Sequence, residues 1–125
     1  MLIEAQGTPA AYALLAEWPS HAAVAPYVFS LETPWLFLKL ERRSRERGFT
    51  IEAMERLAGL KVAVEPALDD QHLNNALGIA ISYNMGFYDA MYVMLAANRR
   101  ATVVSRDAKL LSVCEAFGLD VLNLK

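Results

Sequence analysis

Between Asp89 and Asp107 runs an apolar stretch whose periodicity is first helical and then strand-like. Asp89 stands in Gly86-Phe87-Tyr88-Asp89-Ala90-Met91-Tyr92, and Asp107 in Val103-Val104-Ser105-Arg106-Asp107-Ala108-Lys109-Leu110. Asp89 is therefore predicted to open a helix, and Asp107 to follow the strand after it. Both carboxylates then fall at one end of an α/β unit. Open α/β sheets bind ligands at the carboxyl ends of their strands, and carboxylates gathered there repel unless a cation or a proton lies between them.

The rest of the chain repeats the alternation. Thr8 and Pro9 read as the cap and first residue of a short helix over Ala10 to Trp18, stopped by Pro19. His21 to Ala25 is an apolar strand ending at Pro26. A helix rich in Trp35, Leu36, Phe37, Leu38 and Leu40 follows Ser30, runs into the charged stretch Glu41 to Arg47 and stops at Gly48. Thr50 is predicted to cap a third helix striped by Ile51, Met54 and Leu57. Lys61 to Glu65 alternates as a strand, followed by Pro66 and the acidic caps Asp69 and Asp70. The helix after them has the cleanest period in the chain, with Leu73, Ala76, Leu77, Ala80 and Ile81 on one face. Beyond the Asp89 helix come a strand at Ala101 to Ser105, a helix from Ala108 to Phe117 closed by Gly118, and a strand at Leu119 to Leu124. Alternating helices and strands favour an α/β fold, a parallel sheet with helices on both faces, and 125 residues suffice for one domain, 1–125, and not two.

Composition narrows the function. A net charge of -2 argues against binding nucleic acid by bulk electrostatics, while leaving room for a local basic patch. The single cysteine, Cys114, excludes an internal disulfide, fits a reducing compartment and reads as a buried thiol. No signal peptide is evident, and the most apolar region, Val24 to Leu40, is interrupted by Glu32, Pro34 and Lys39. The expectation is a cytoplasmic protein without a membrane span. His21 and His72 lack partners at zinc-ligand spacing. Neither a Gly-rich phosphate loop nor an Asp-x-Asp phosphatase signature is present.

Each acid has a plain structural role to set beside a functional one. Asp89 and Asp107 suit helix caps and helix dipoles. Glu32 lies in an apolar run and has to point outward or find a positive partner, and a metal serves better than Lys39, which is seven positions on. Pro34, two residues later, fits only a first helical turn and puts Glu32 near the start of its helix. Arg42, Arg43, Arg45 and Arg47, with Arg99 and Arg100, are either solvated helix ends or phosphate contacts. Tyr27, Phe29, Trp35, Phe37 and Trp18 are core residues, or else form a dimer face or a groove for a partner helix.

The order of these parts, with Tyr88-Asp89-Ala90-Met91-Tyr92 and Ser105-Arg106-Asp107-Ala108-Lys109-Leu110, resembles PIN-domain ribonucleases, and most closely the VapC-like toxins of type II toxin-antitoxin pairs. The likeness runs from about Ala10 to Leu124. It implies a PIN-like three-layer sandwich and a metal-dependent nuclease in which Glu32, Asp89 and Asp107 hold Mg²⁺ or Mn²⁺. It also implies that Ser105 supports a ligand by hydrogen bonding, that RNA is cut to leave a 3′-hydroxyl and a 5′-phosphate, and that a homodimer and a cognate antitoxin are the protein partners. Arg42, Arg43, Arg99 and Arg100 are the candidate RNA contacts. Such proteins begin with an apolar strand ending in Asp. Here the chain opens Met1-Leu2-Ile3-Glu4-Ala5-Gln6, so the opening strand and its Asp are missing, which the short spacing favours, or Glu4 replaces the Asp after a shortened strand. A domain without that acid could instead serve as a non-catalytic interaction module. A receiver-like phosphoryl acceptor is disfavoured because the N-terminal acidic pair is absent.

Overall fold

The structure, a computed structural model, describes residues 2–3 and 23–123. Five short strands and five helices are described: β1 (Leu2–Ile3), β2 (Val24–Ala25), α1 (Phe29–Ser44), α2 (Phe49–Gly59), β3 (Ala63–Val64), α3 (Asp70–Tyr83), α4 (Phe87–Arg99), β4 (Val103–Ser105), α5 (Ala108–Ala116) and β5 (Val121–Asn123). The strands make one parallel sheet in the order β3-β2-β1-β4-β5. Chain order reverses at β1, which pairs with β2 through Leu2 and Val24, and with β4 through Leu2 and Val103 and Ile3 and Val104.

This corrects the expectation that the opening strand is missing. Leu2 and Ile3 form a strand in the middle of the sheet, between β2 and β4. The helix predicted over Ala10 to Trp18, together with Glu4, His21 and Trp18, lies outside the described residues.

The core forms where apolar character surrounds a helix completely. From Ala90 through Ala96 every residue of α4 is buried, as befits a helix covered on all sides. Val103 and Val104 of β4 and Leu110, Leu111, Val113 and Cys114 of α5 are buried with it, alongside Val24, Ala25, Phe29 and Phe37. Phe37 meets Phe49 edge to face, with ring centroids 6.0 Å apart. Phe29 and Phe37, two of the aromatic candidates, are thus core. Tyr27 and Trp35 remain exposed.

Several local expectations change. Helix α1 starts at Phe29, so Pro34 is its sixth residue rather than part of its first turn, and the missing N–H removes the bond that the Ser30 carbonyl would accept. Arg45, in a left-handed conformation, ends α1. Gly48, at φ 83, precedes α2 and is its cap; Thr50 is not. The Thr50 N–H instead donates to Glu41 Oε1 at 2.9 Å, tying the end of α1 to the start of α2. In α3 only Ala76 of the periodic face is buried, whereas Leu73, Leu77 and Ile81 face outward. Periodicity marked an apolar face correctly but could not say that the core lay elsewhere. Asp69 caps α3 as expected, accepting the His72 N–H at 2.9 Å.

Leu110 is 1% exposed, and Leu110→Ala should lower stability by about 2–5 kcal/mol through lost burial and a cavity. Asp69→Ala, which removes only an exposed cap, should be the milder change of the two. Urea unfolding of both variants measures the difference.

Candidate functional site

Because chain order reverses at β1, the crevice of this sheet lies at the carboxyl ends of β1 and β4, where open α/β sheets place their ligands. Asp107 arrives there two residues after β4. Its N–H donates to Ser105 Oγ at 3.0 Å, and its Oδ1 accepts the N–H groups of Lys109 at 3.0 Å and Leu110 at 3.2 Å, so it caps α5. Both cap bonds fall on Oδ1, and Oδ2 takes no part in them. Ser105 is buried and braces this turn, so its hydroxyl fixes the backbone that carries Asp107.

Asp89 comes from the first turn of α4, just past its cap Gly86, and a Cβ added to Gly86 would lie 3.7 Å from Asp89 Oδ2. The carboxylate is half-buried. Burial, and next the negative charge of Asp107, raise its pKa from the ordinary aspartate value, while the ammonium of Lys109 pulls the other way. The two aspartates therefore share one electrostatic environment. Lys109 Nζ donates to the Asn84 carbonyl at the end of α3, which tethers a positive charge beside the pair. No role was predicted for Lys109, although it stands two residues after Asp107 within the motif; its only signal was that short spacing.

Glu32, in the first turn of α1, lines a cleft of about 410 Å³ with Gly86, Phe87, Tyr88 and Asp89. The structure thus places Glu32 with Asp89, and Asp89 with Asp107. It does not draw all three into one cluster: among the described residues no three His, Cys, Asp or Glu side chains are grouped closely enough to hold an ion. Two carboxylates are still a fitting donor set for Mg²⁺, which is commonly bound through one or two carboxylates, with water and substrate phosphate completing its shell.

The arginines are apart from this centre. At 1.5 Å of rise per residue, Arg42 and Arg43 lie about 15 Å along α1 from Glu32. Arg99 and Arg100 end α4, a similar distance from Asp89 at its start. Arg99 is paired with Glu65, so the predicted RNA contact carries a structural ion pair from α4 to the residue after β3. His72 is likewise engaged, its Nδ1 lying 2.6 Å from Asp69 Oδ1. Cys114 is fully buried, and burial pushes its thiol up to about 11. Among the described residues no helix is long and apolar enough to cross a membrane.

No protein-family profile matches this chain, and no curated protein does. Among solved structures it is similar to PAE2754 from Pyrobaculum aerophilum, with a TM-score of 0.75 over 96% of this chain and 87% of that one, at 20% identity. At that identity the likeness is one of fold, a parallel α/β domain of similar extent.

Linkage gives the acid pair a test. Asp89 has a folded pKa above its unfolded value, so its contribution to stability is full below the unfolded pKa and is lost as pH rises through the folded one. Asp89→Asn cannot ionise, so it should be more stable than the parent near neutral pH and lose that advantage below about pH 3. Water screens this part-exposed group, so the gain should stay under about 1 kcal/mol. Thermal unfolding across that pH range measures it.

Proposed function

We propose that this chain is a metal-dependent endoribonuclease of the PIN-domain kind, the toxin of a type II toxin-antitoxin pair, built as a PIN-like three-layer sandwich with helices on both faces of its sheet. The observation that carries the reading is the coupling of Asp89 to Asp107 at the sheet's reversal point, with Glu32 lining the same cleft as Asp89. A carboxylate whose pKa is raised first by burial and then by a neighbouring carboxylate belongs to a site that gains from a cation.

Asp89 and Asp107, with Glu32 beside them, would hold Mg²⁺ or Mn²⁺. An ion held there would supply a more acidic bound water and positive charge to offset that of an RNA phosphodiester. The chain's own part is positional. Ser105 fixes the turn that presents Asp107, and the α5 cap holds Oδ1 and leaves Oδ2 outside it. Asp89 must shed its proton to act as a ligand, so ion affinity should fall as pH drops through its raised pKa. Lys109, tethered at Asn84, keeps one positive charge beside the acids and tempers their repulsion. Arg42 and Arg43 would meet RNA phosphates several nucleotides from the cut, and Arg100 would do so from the far end of α4. An antitoxin that presents a basic side chain to Asp89 and Asp107 would silence the site by charge and by occlusion.

Glu4 follows β1 directly in sequence, where the resemblance expects the first Asp, and we assign it the remaining carboxylate role. Cleavage of single-stranded RNA in Mg²⁺ should fall by roughly 100-fold or more in Asp89→Asn. Glu4→Gln should raise the Mg²⁺ concentration needed for half-maximal rate. Cleavage that survives Asp89→Asn overturns the site.

The lack of a three-acid cluster among the described residues favours a second reading, an interaction module without catalysis. Correctly folded protein that cuts no RNA in Mg²⁺ or Mn²⁺, yet retains antitoxin binding, selects it.

A further inference from the structure

Buried hydroxyls nearly always find a hydrogen-bond partner. Thr33 is 1% exposed, and its Oγ1 has none among the described residues. Even the bond that a helical threonine can donate to the carbonyl one turn back is not made. Thr33 lines a cavity of about 230 Å³ between the start of α1, α2 and the edge strand β3, with Phe29, Met54, Leu57 and Val62 among its walls. Ser30 shares the lining, but its hydroxyl already donates to the Tyr27 carbonyl at 2.7 Å. Lys61 supplies the one charged side chain of the described lining, and its ammonium belongs to none of the ion pairs among the described residues.

We propose that this cavity binds a small apolar monocarboxylate, its hydrocarbon body against Phe29, Met54, Leu57 and Val62 and its carboxylate accepting hydrogen bonds from Lys61 and the Thr33 hydroxyl. Charge selects the head group. An organic cation would meet Lys61 with no acid in the lining to offset it, whereas a carboxylate gains a charge-assisted bond from the ammonium and a second from a hydroxyl that has no other partner. Size selects the body. Pockets for drug-sized ligands run from about 300 Å³ upward, so this smaller one admits a single ring or a short chain. The inference is independent of the nuclease reading, because none of these residues lines the acid cleft.

Methyl NMR on the full chain tests it, with benzoate as the probe and benzylamine as its oppositely charged counterpart. Benzoate is expected to shift the methyl signals of Met54, Leu57 and Val62 along one saturable isotherm with a Kd below about 1 mM, and benzylamine to bind about 10-fold or more weaker. Lys61→Met should remove that preference by weakening benzoate about 10-fold or more. Thr33→Val keeps the shape of the side chain and should weaken benzoate about 3-fold or more. Without ligand it should unfold at a higher temperature than the parent, because a buried hydroxyl with no partner is gone. A cavity that holds only water gives no saturable shift by about 1 mM benzoate and overturns the proposal. So does benzylamine that binds as tightly as benzoate, or benzoate affinity unchanged in either variant.

Discussion

A strand in the middle of a parallel sheet has to satisfy backbone donors and acceptors on both sides, and β1 does so between β2 and β4. Leu2 and Ile3 join β2 on one side and β4 on the other. Without them the carbonyls and amides of both neighbours would be left unpaired toward the interior, at a cost of about 1–3 kcal/mol for each buried group. Their pairing also makes the sheet reverse its order at β1. That reversal opens the crevice to which Asp107 is delivered by β4 and Asp89 by α4.

The sequence was most legible where local chemistry and tertiary packing agree. The helix at Asp89, the strand before Ser105 and the helix after Asp107 appear close to their expected positions because Gly86, Asp107 and Gly118 punctuate them and the apolar residues between are truly core. It misled where a pattern has two physical outcomes. The α3 stripe has the clearest period of all, yet a period gives only the direction of an apolar face, not what covers it. Leu2-Ile3 reads only as the less favoured alternative, a shortened strand, because the partners that hold it, Val24, Val103 and Val104, stand far along the chain. Arg99 looked like a phosphate contact because its partner, Glu65, stands 34 positions away.

The candidate site shows the same division. Both aspartates could be placed at one end of an α/β unit from spacing alone, and the structure couples their charges. The tether from Lys109 to Asn84 could not be foreseen, since it depends on where α3 ends relative to α5. Two helix beginnings also converge here, Asp89 in the first turn of α4 and Asp107 capping α5. Their dipoles favour negative charge at the two acids and soften the repulsion between them. Asp107 is thus a helix cap, and both aspartates are helix-dipole partners as well as candidate ligands.

Pro34 divides α1 unequally. Ahead of it, the turn bearing Glu32 is joined to the remainder by one hydrogen bond fewer, because the proline has nothing to donate to Ser30. Behind it, the arginine-bearing end is clamped to α2 through Glu41 and Thr50. The turn ahead of Pro34 is held by packing, with Phe29 and Thr33 buried, so Glu32 is presented to its cleft from an anchored base.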